Sequence, residues 1–401
     1  MRAASAAAIA VGGLIALAVA MGIGRFAFTP MLPIMQADAG LSVEAGGWLA
    51  SANYAGYLAG ALAATRLQIA PLRAIFGGLL AIAVTTLAMG FTQAFVEWVV
   101  WRTAAGIASA FVLVYISAWS VQQLAALQRP ALGGVVFAGV GIGVAGAGLI
   151  CLAFVAIGTT AAQLWLILGV VAVLASLAAV PLLRAAAGAP EAAAAPRPQG
   201  SRTAFTRDDW RLILCYGAFG FGYIIPATFL PVMARETMPD PALFGWAWPL
   251  FGTAGTIATL LAARANKAAQ LRVAWAISHF VMAAGCAVAA LVHSFAAVLI
   301  AALAVGGTFM VITMYAVQEA RVVAGAHARP LIGAMTAAFA LGQIVGPLSV
   351  RGPAGATTQF GTPLLVAAII LFASGGALLF KRPRRGAAAQ ATDATSSRRD
   401  P

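Results

Sequence analysis

The chain has 401 residues, 62% of them apolar and only 9% charged, with a mean hydropathy of +0.95. Soluble domains carry about 25% charged residues, so the surroundings of this chain are mainly lipid, and the same apolar content excludes a disordered chain. The 43 glycines have no three-residue period, which excludes collagen, while a net charge of +13 raises a nucleic-acid reading that the placement of the cations must decide.

Crossing a bilayer takes roughly 20 apolar residues as a helix, and such stretches recur from end to end. Twelve spans are predicted, at residues 7–34, 44–65, 71–92, 97–122, 131–157, 161–183, 207–234, 241–263, 271–292, 295–320, 330–350 and 360–380. Backbone groups in lipid must be paired within the segment, and the runs lack strand alternation, so they are read as helices. Arg2 before an apolar run, with Ala18-Val19-Ala20, resembles a signal peptide; the repeat described below argues that span 1 belongs to the fold. Residues 1–184 form the first six-helix half. A solvated linker follows at 185–206, rich in proline and arginine, and the second half occupies 207–380. Thr206 and Asp209 make a capping box for span 7. The basic tail, 381–401, is expected to be disordered.

Counted by connection, 20 of the 24 Lys and Arg fall on the side of the termini and the linker, and the opposite side holds Arg235 and Arg351. By the positive-inside rule both termini and the linker are cytoplasmic, which implies a multi-pass protein of a bacterial inner membrane. The charge is therefore an orientation signal, and no nucleic-acid partner is expected. Arg25 and Arg102 remain, both within spans. The nine tryptophans fall near span ends, as an aromatic belt would. Six tyrosines lie inside spans, where each phenol needs a partner or water. Cys151, Cys215 and Cys286 are too dispersed for a disulfide or metal framework. His279, His293 and His327 make neither a metal site nor a catalytic pair. No enzyme activity and no cofactor is expected.

Displacing the sequence by about 200 residues superposes one half on the other. Gly22, Gly24, Leu32, Pro33 and Met35 match Gly220, Gly222, Leu230, Pro231 and Met233 at an offset of 198. Gly106 and Tyr115 match Gly306 and Tyr315 at an offset of 200, as do Arg129-Pro130, Gly133 and Gly146 with Arg329-Pro330, Gly333 and Gly346. Six helices between copies give both the same orientation, hence a parallel repeat about an axis along the membrane normal. The expected fold is an all-α polytopic membrane protein of twelve transmembrane helices in two pseudo-symmetric six-helix halves.

Two six-helix halves with a basic linker resemble the major facilitator superfamily of secondary transporters. More narrowly, Gly22-Ile-Gly-Arg25-Phe-Ala-Phe-Thr-Pro30-Met-Leu-Pro33 and Gly47-Trp48-Leu-Ala-Ser51-Ala-Asn53-Tyr54-Ala-Gly56-Tyr57 resemble the YbfB/YjiJ-type group. The resemblance implies the superfamily fold, alternating access, and a central path lined by helices 1, 4, 7 and 10. Arg102 with Gly106 resembles the superfamily's helix 4 arginine motif. Ala64 stands where its loop between helices 2 and 3 usually carries an acid, and Gly139 and Gly143 form its helix 5 glycine motif without the proline.

The substrate-binding candidates are Arg25, Asn53, Tyr57, Arg102, Ser109, Tyr115, Tyr216, Tyr223, Tyr315 and Gln318. A charge in lipid costs about 2.5–3.5 kcal/mol or more, so Arg25 should attract an anionic group or else tie helices together, and Arg102 stands under the same two readings. Asn53 and Tyr57 share a face at i and i+4, Tyr216, Phe219 and Tyr223 form a stripe, and Gln318 lies a turn from Tyr315. The gating and packing candidates are Pro33, Pro231, Gly139, Gly143, Gly342, Gly346 and Pro347. Gly141-x-Gly143-x-x-Gly146 mimics a dinucleotide fingerprint but lacks the preceding strand and the later acid, so small-residue packing explains it. None of the 11 acids is at mid-span; facilitated diffusion, exchange of a counter-anion around Arg25, and proton linkage through Glu97 or Glu319 are the open modes of coupling. The function expected is secondary transport, as a monomer, of a small organic solute, an anion or carboxylate-bearing metabolite. Efflux of apolar drugs, or a non-transporting sensor or scaffold, are the alternatives.

Overall fold

The computed structural model describes residues 2–67, 69–186, 205–238, 240–265, 270–325, 328–351 and 358–380. The expected linker and tail lie almost wholly outside these. Helix α1 runs through Arg2–Leu17, a π segment Ala18–Phe26, and Phe28–Ala39. There follow α2 (Val43–Arg66), α3 (Pro71–Phe91), α4 (Phe95–Ala126), α5 (Gly133–Val155) and α6 (Ala161–Ala186). The second set is α7 (Arg207–Thr237), α8 (Ala247–Ala265), α9 (Leu271–Leu291), α10 (Phe295–Ala324), α11 (Ala328–Leu348) and α12 (Thr358–Leu379).

Local chemistry sets the boundaries. The Ser42 hydroxyl accepts from the Ala45 amide at 3.0 Å where α2 starts, and Ser294 does the same for Ala297 at 3.2 Å at α10. The expected capping box at α7 forms: Thr206 accepts from the Asp209 amide at 3.2 Å, and the Asp209 carboxylate accepts from the Thr206 amide at 2.8 Å. Gly40, at φ +65°, ends α1 in a left-handed turn that favours glycine.

Among the described residues ten of these helices are long and apolar enough to cross a membrane; α2 and α8 fall short. Ser51, Asn53, Tyr54 and Tyr57 dilute α2, and Trp248, Pro249 and three threonines dilute the 19 residues of α8. The expected span 1, 7–34, extends to Ala39, and α8 begins at Ala247 rather than 241 because a one-turn helix, Pro241–Phe244, precedes it. Leu80, Leu174, Leu177, Leu214, Ile369 and Phe372 are exposed, a hydrocarbon surface that suits lipid and not water.

The packing partners repeat. Helix α1 packs on α5 as α7 packs on α11, α2 on α4 as α8 on α10, and α3 on α6 as α9 on α12. Glycine makes the close approaches possible. Gly22 faces the backbone of Gly143 and Gly220 that of Phe339; Gly106 faces the Asn53 carbonyl and Gly306 the Phe251 carbonyl. Gly139 and Gly143 lie against Leu14 and Ala18, Gly342 against Gly217 to Phe221, and Gly346 against Ile224. The dinucleotide look-alike is a packing surface: Gly141 turns to Gly252 and Thr256 of α8 while Gly143 turns to α1.

The aromatic belt is a correction. Trp165, Trp248 and Trp275 are fully buried and Trp98 and Trp119 nearly so, whereas Trp48, Trp210 and Trp246 are exposed. Nearness to a span end does not tell which way an indole points, and most of these fill gaps between helices.

Candidate functional site

Helix α1 carries the centre of the site where its own hydrogen bonding is irregular. The π segment includes Arg25, and the helix then meets Pro30 and Pro33. A π-type bond to the Arg25 carbonyl would have to come from residue 30, and proline has no N–H. Arg102 of α4 fills the gap: its guanidinium donates to the Arg25 carbonyl at 3.0 Å and to the Gly24 carbonyl at 3.4 Å, and lies over the Phe28 ring. Asn53 of α2 joins the same seam, its amide donating to the Arg102 carbonyl at 2.8 Å and the Gly24 carbonyl at 3.3 Å. Ser109 donates to the Ala105 carbonyl at 2.7 Å and packs on Gly24. Arg102 and Asn53 thus hold by hydrogen bonds the backbone that presents Arg25, and Ser109 packs against it.

The Arg25 side chain is 2% exposed. Its Cζ lies 3.9 Å from the centre of the Tyr57 ring and 5.2 Å from those of Tyr54 and Phe26. Nη2 donates to Gln343 Oε1 of α11 at 2.6 Å, and Gln343 Nε2 donates to the Tyr223 hydroxyl of α7. Nε is buried with no hydrogen-bond partner among the described residues, and no carboxylate there pairs with Arg25. A buried guanidinium with only neutral partners and an open Nε donor has the chemistry to accept an anion.

Aromatic rings surround this group. Tyr223 is nearly parallel to Phe339 (5.6 Å between centroids, 6°) and to Phe309 (6.2 Å, 12°), and Tyr216 stacks on Phe339 at 5.0 Å. Tyr115 is placed elsewhere: it donates to the Leu67 carbonyl at 2.8 Å, at the far end of α2. Tyr315 and Gln318 lie about two turns beyond Phe309 on α10, while Arg25, Asn53, Tyr57, Arg102, Ser109, Tyr216 and Tyr223 are linked by the contacts above.

The two helix sets are bonded together away from the basic end, which carries Arg73, Arg207, Arg272 and Arg321. Thr29 donates to the Ala227 carbonyl at 2.6 Å, Ser51 to the Ile344 carbonyl at 2.9 Å, and Arg235 to the Pro33 carbonyl at 2.6 Å, while Tyr54 and Thr228 share a bond of 3.1 Å. Pro33 of the gate candidates thus accepts directly from α7. Pro231 is buried on α7 among these contacts, and the carbonyl of Pro347 lies beside Gly47.

Sequence reasoning missed Gln343, although a lone amide inside an apolar span was itself a signal. Its repeat equivalent is Gly143, so the repeat carried none. Also missed were two acids at repeat-equivalent positions. Asp38 accepts from the Ala161 amide at 2.6 Å and Glu236 from Gln359 at 2.7 Å; both partners are again 198 apart. At the basic end Arg272 donates to both oxygens of Asp208, at 2.9 and 2.8 Å, and to Glu319 at 2.9 Å, joining α7, α9 and α10. Glu319 is thus an ion-pair partner, and Glu97 is exposed at the start of α4.

A family model described as "Uncharacterised MFS-type transporter YbfB" matches residues 17–379. No curated protein matches the chain significantly.

Proposed function

The chain belongs to this family of MFS-type membrane transporters, and from that premise we propose that it is a secondary transporter of a small organic anion, with Arg25 as the receptor of the anionic group. The observation that carries the reading is the buried Arg25 guanidinium, which has a neutral amide and aromatic faces around it and an open Nε donor. In a low-dielectric interior such a charge is stabilised most by an anion arriving with two in-plane acceptors, as a carboxylate does.

In this proposal all twelve helices cross the inner membrane, with both termini and the linker cytoplasmic, and residues 1–184 and 207–380 rock as two halves. Thr29 and Ala227 support the two-fold relation: they are repeat equivalents 198 positions apart and touch, as residues on a shared axis must. The bonds between the sets lie away from the basic end, so the conformation is closed on the non-cytoplasmic side and Arg25 is approached from the cytoplasm. Arg102, Asn53 and Ser109 position the α1 backbone; Tyr57 and Tyr223 frame the anion. Tyr115, Tyr315 and Gln318 line the entry on α4 and α10. The protein works as a monomer, coupled to a proton or to exchange of a counter-anion.

The test is uptake of a panel of radiolabelled carboxylates into proteoliposomes by the wild type, Arg25→Ala and Arg25→Lys. Loss of uptake in Arg25→Ala with a weakened residue of activity in Arg25→Lys is expected. Undiminished uptake in both variants removes Arg25 from the site.

A further inference from the structure

We infer that the anion carries a flat aromatic ring, so that the substrate class is aromatic carboxylic acids; this rests on the anion reading of Arg25 above. Two features of the cage go beyond the open donor. First, the groups over the guanidinium are ring faces: Tyr57 at 3.9 Å and Tyr54 and Phe26 at 5.2 Å. Second, a run of rings leads to it from the basic end. Tyr216 stacks on Phe339 at 24°, Phe339 lies at 6° to Tyr223, and Tyr223 is bonded to the same Gln343 that Arg25 uses. Phe339 is only half-buried, so one ring of this run is accessible.

A carboxylate needs two donors in the guanidinium plane. One donor there is open, Nε, and the other is held by the neutral Gln343 amide, which a charged acceptor displaces readily. With the carboxylate so placed, the body of the ligand lies among ring faces. A planar aromatic body stacks on them in offset or edge-to-face geometry. A saturated ring of the same size cannot, although it is at least as hydrophobic. Burial of area alone therefore favours the saturated ring, and ring stacking favours the aromatic one, so the sign of the preference reads the mechanism.

The experiment is equilibrium binding to the purified full-length chain of benzoate, phenylacetate, cyclohexanecarboxylate and benzamide, with the wild type, Phe339→Leu and Arg25→Lys. Benzoate or phenylacetate is expected to bind at least tenfold more tightly than cyclohexanecarboxylate, and benzamide not to bind. Phe339→Leu should bring that ratio close to one, and Arg25→Lys should weaken both acids together. Equal or tighter binding of cyclohexanecarboxylate overturns the aromatic class and leaves the anion reading standing. Binding of benzamide as tight as benzoate, or no binding of any carboxylate, overturns both. Because the wild-type ratio decides the matter by itself, a variant that fails to fold does not protect the proposal.

Discussion

Arg25 and Tyr223 occupy equivalent positions in the two repeats, 198 residues apart, and both end on the amide of Gln343, Arg25 at 2.6 Å. At this offset a cation stands on one side and a phenol on the other. A single amide from α11 spans the gap between them.

Gln343→Leu should remove that bridge and leave a second donor of Arg25 unpaired. A stranded buried donor costs about 1–3 kcal/mol, so thermal unfolding in detergent should show a loss of that order. Gln343→Glu should instead place a carboxylate beside the guanidinium and abolish carboxylate binding while keeping the fold, measured by equilibrium binding. Retained binding in Gln343→Glu would show that ligands do not compete for the Gln343 position.

Arg102→Lys replaces a fork by a point charge, which cannot serve the Gly24 and Arg25 carbonyls together. The expected result is lower thermal stability, by about 1–3 kcal/mol, with a smaller change in carboxylate affinity than Arg25→Lys gives. The reverse order of effects would assign Arg102 to the ligand.

Gly306 and Gly307 offer a test within two residues of α10. An added Cβ at Gly306 meets the Phe251 carbonyl, and one at Gly307 meets nothing within 4 Å. Gly307→Ala should be neutral or stabilise by about 0.5–1 kcal/mol through helix propensity, whereas Gly306→Ala should separate α8 from α10 and reduce yield and stability. Comparable thermal profiles for the two would contradict the close approach. Gly106→Ala on α4 should behave as Gly306→Ala does.

Arg272→Ala withdraws the guanidinium shared by Asp208 and the buried Glu319. Removing one member of a buried ion pair costs about 3–5 kcal/mol. A loss of that size in unfolding is expected, with little change in carboxylate affinity because the network lies at the basic end, away from Arg25.

Asp38→Ala removes the carboxylate from the first amide of α6, a cap worth about 0.5–2 kcal/mol. Glu236→Ala removes the matching tie between α7 and α12. The two losses should add in the double variant, since the sites share no partner; a marked departure from additivity in unfolding would mean that the sets are coupled through their far ends.

The helices and their approximate ends were legible in the sequence because each rests on local chemistry. Apolar run length marks a lipid-crossing helix, the Thr206 and Asp209 spacing marks a cap, and glycines at a constant offset mark close approaches that recur. Family membership followed from residues contiguous in α1 and α2. The direction in which a side chain points was not legible: Trp165, Trp248 and Trp275 sit near helix ends yet face inward, and Tyr115 turns to the end of α2 rather than to Arg25.

The sequence by itself also determined that Arg25 and Arg102 are unusual, since a charge in an apolar span must find a partner. Only the tertiary structure decided what those partners are. Arg102 is spent on the carbonyls of Gly24 and Arg25, the second of which has no π-type donor because residue 30 is proline, and Arg25 reaches Gln343, 318 residues away, with a donor to spare. Pairing across that distance depends on how α1, α4 and α11 pack, and close packing is a property of the assembled bundle that no single helix encodes.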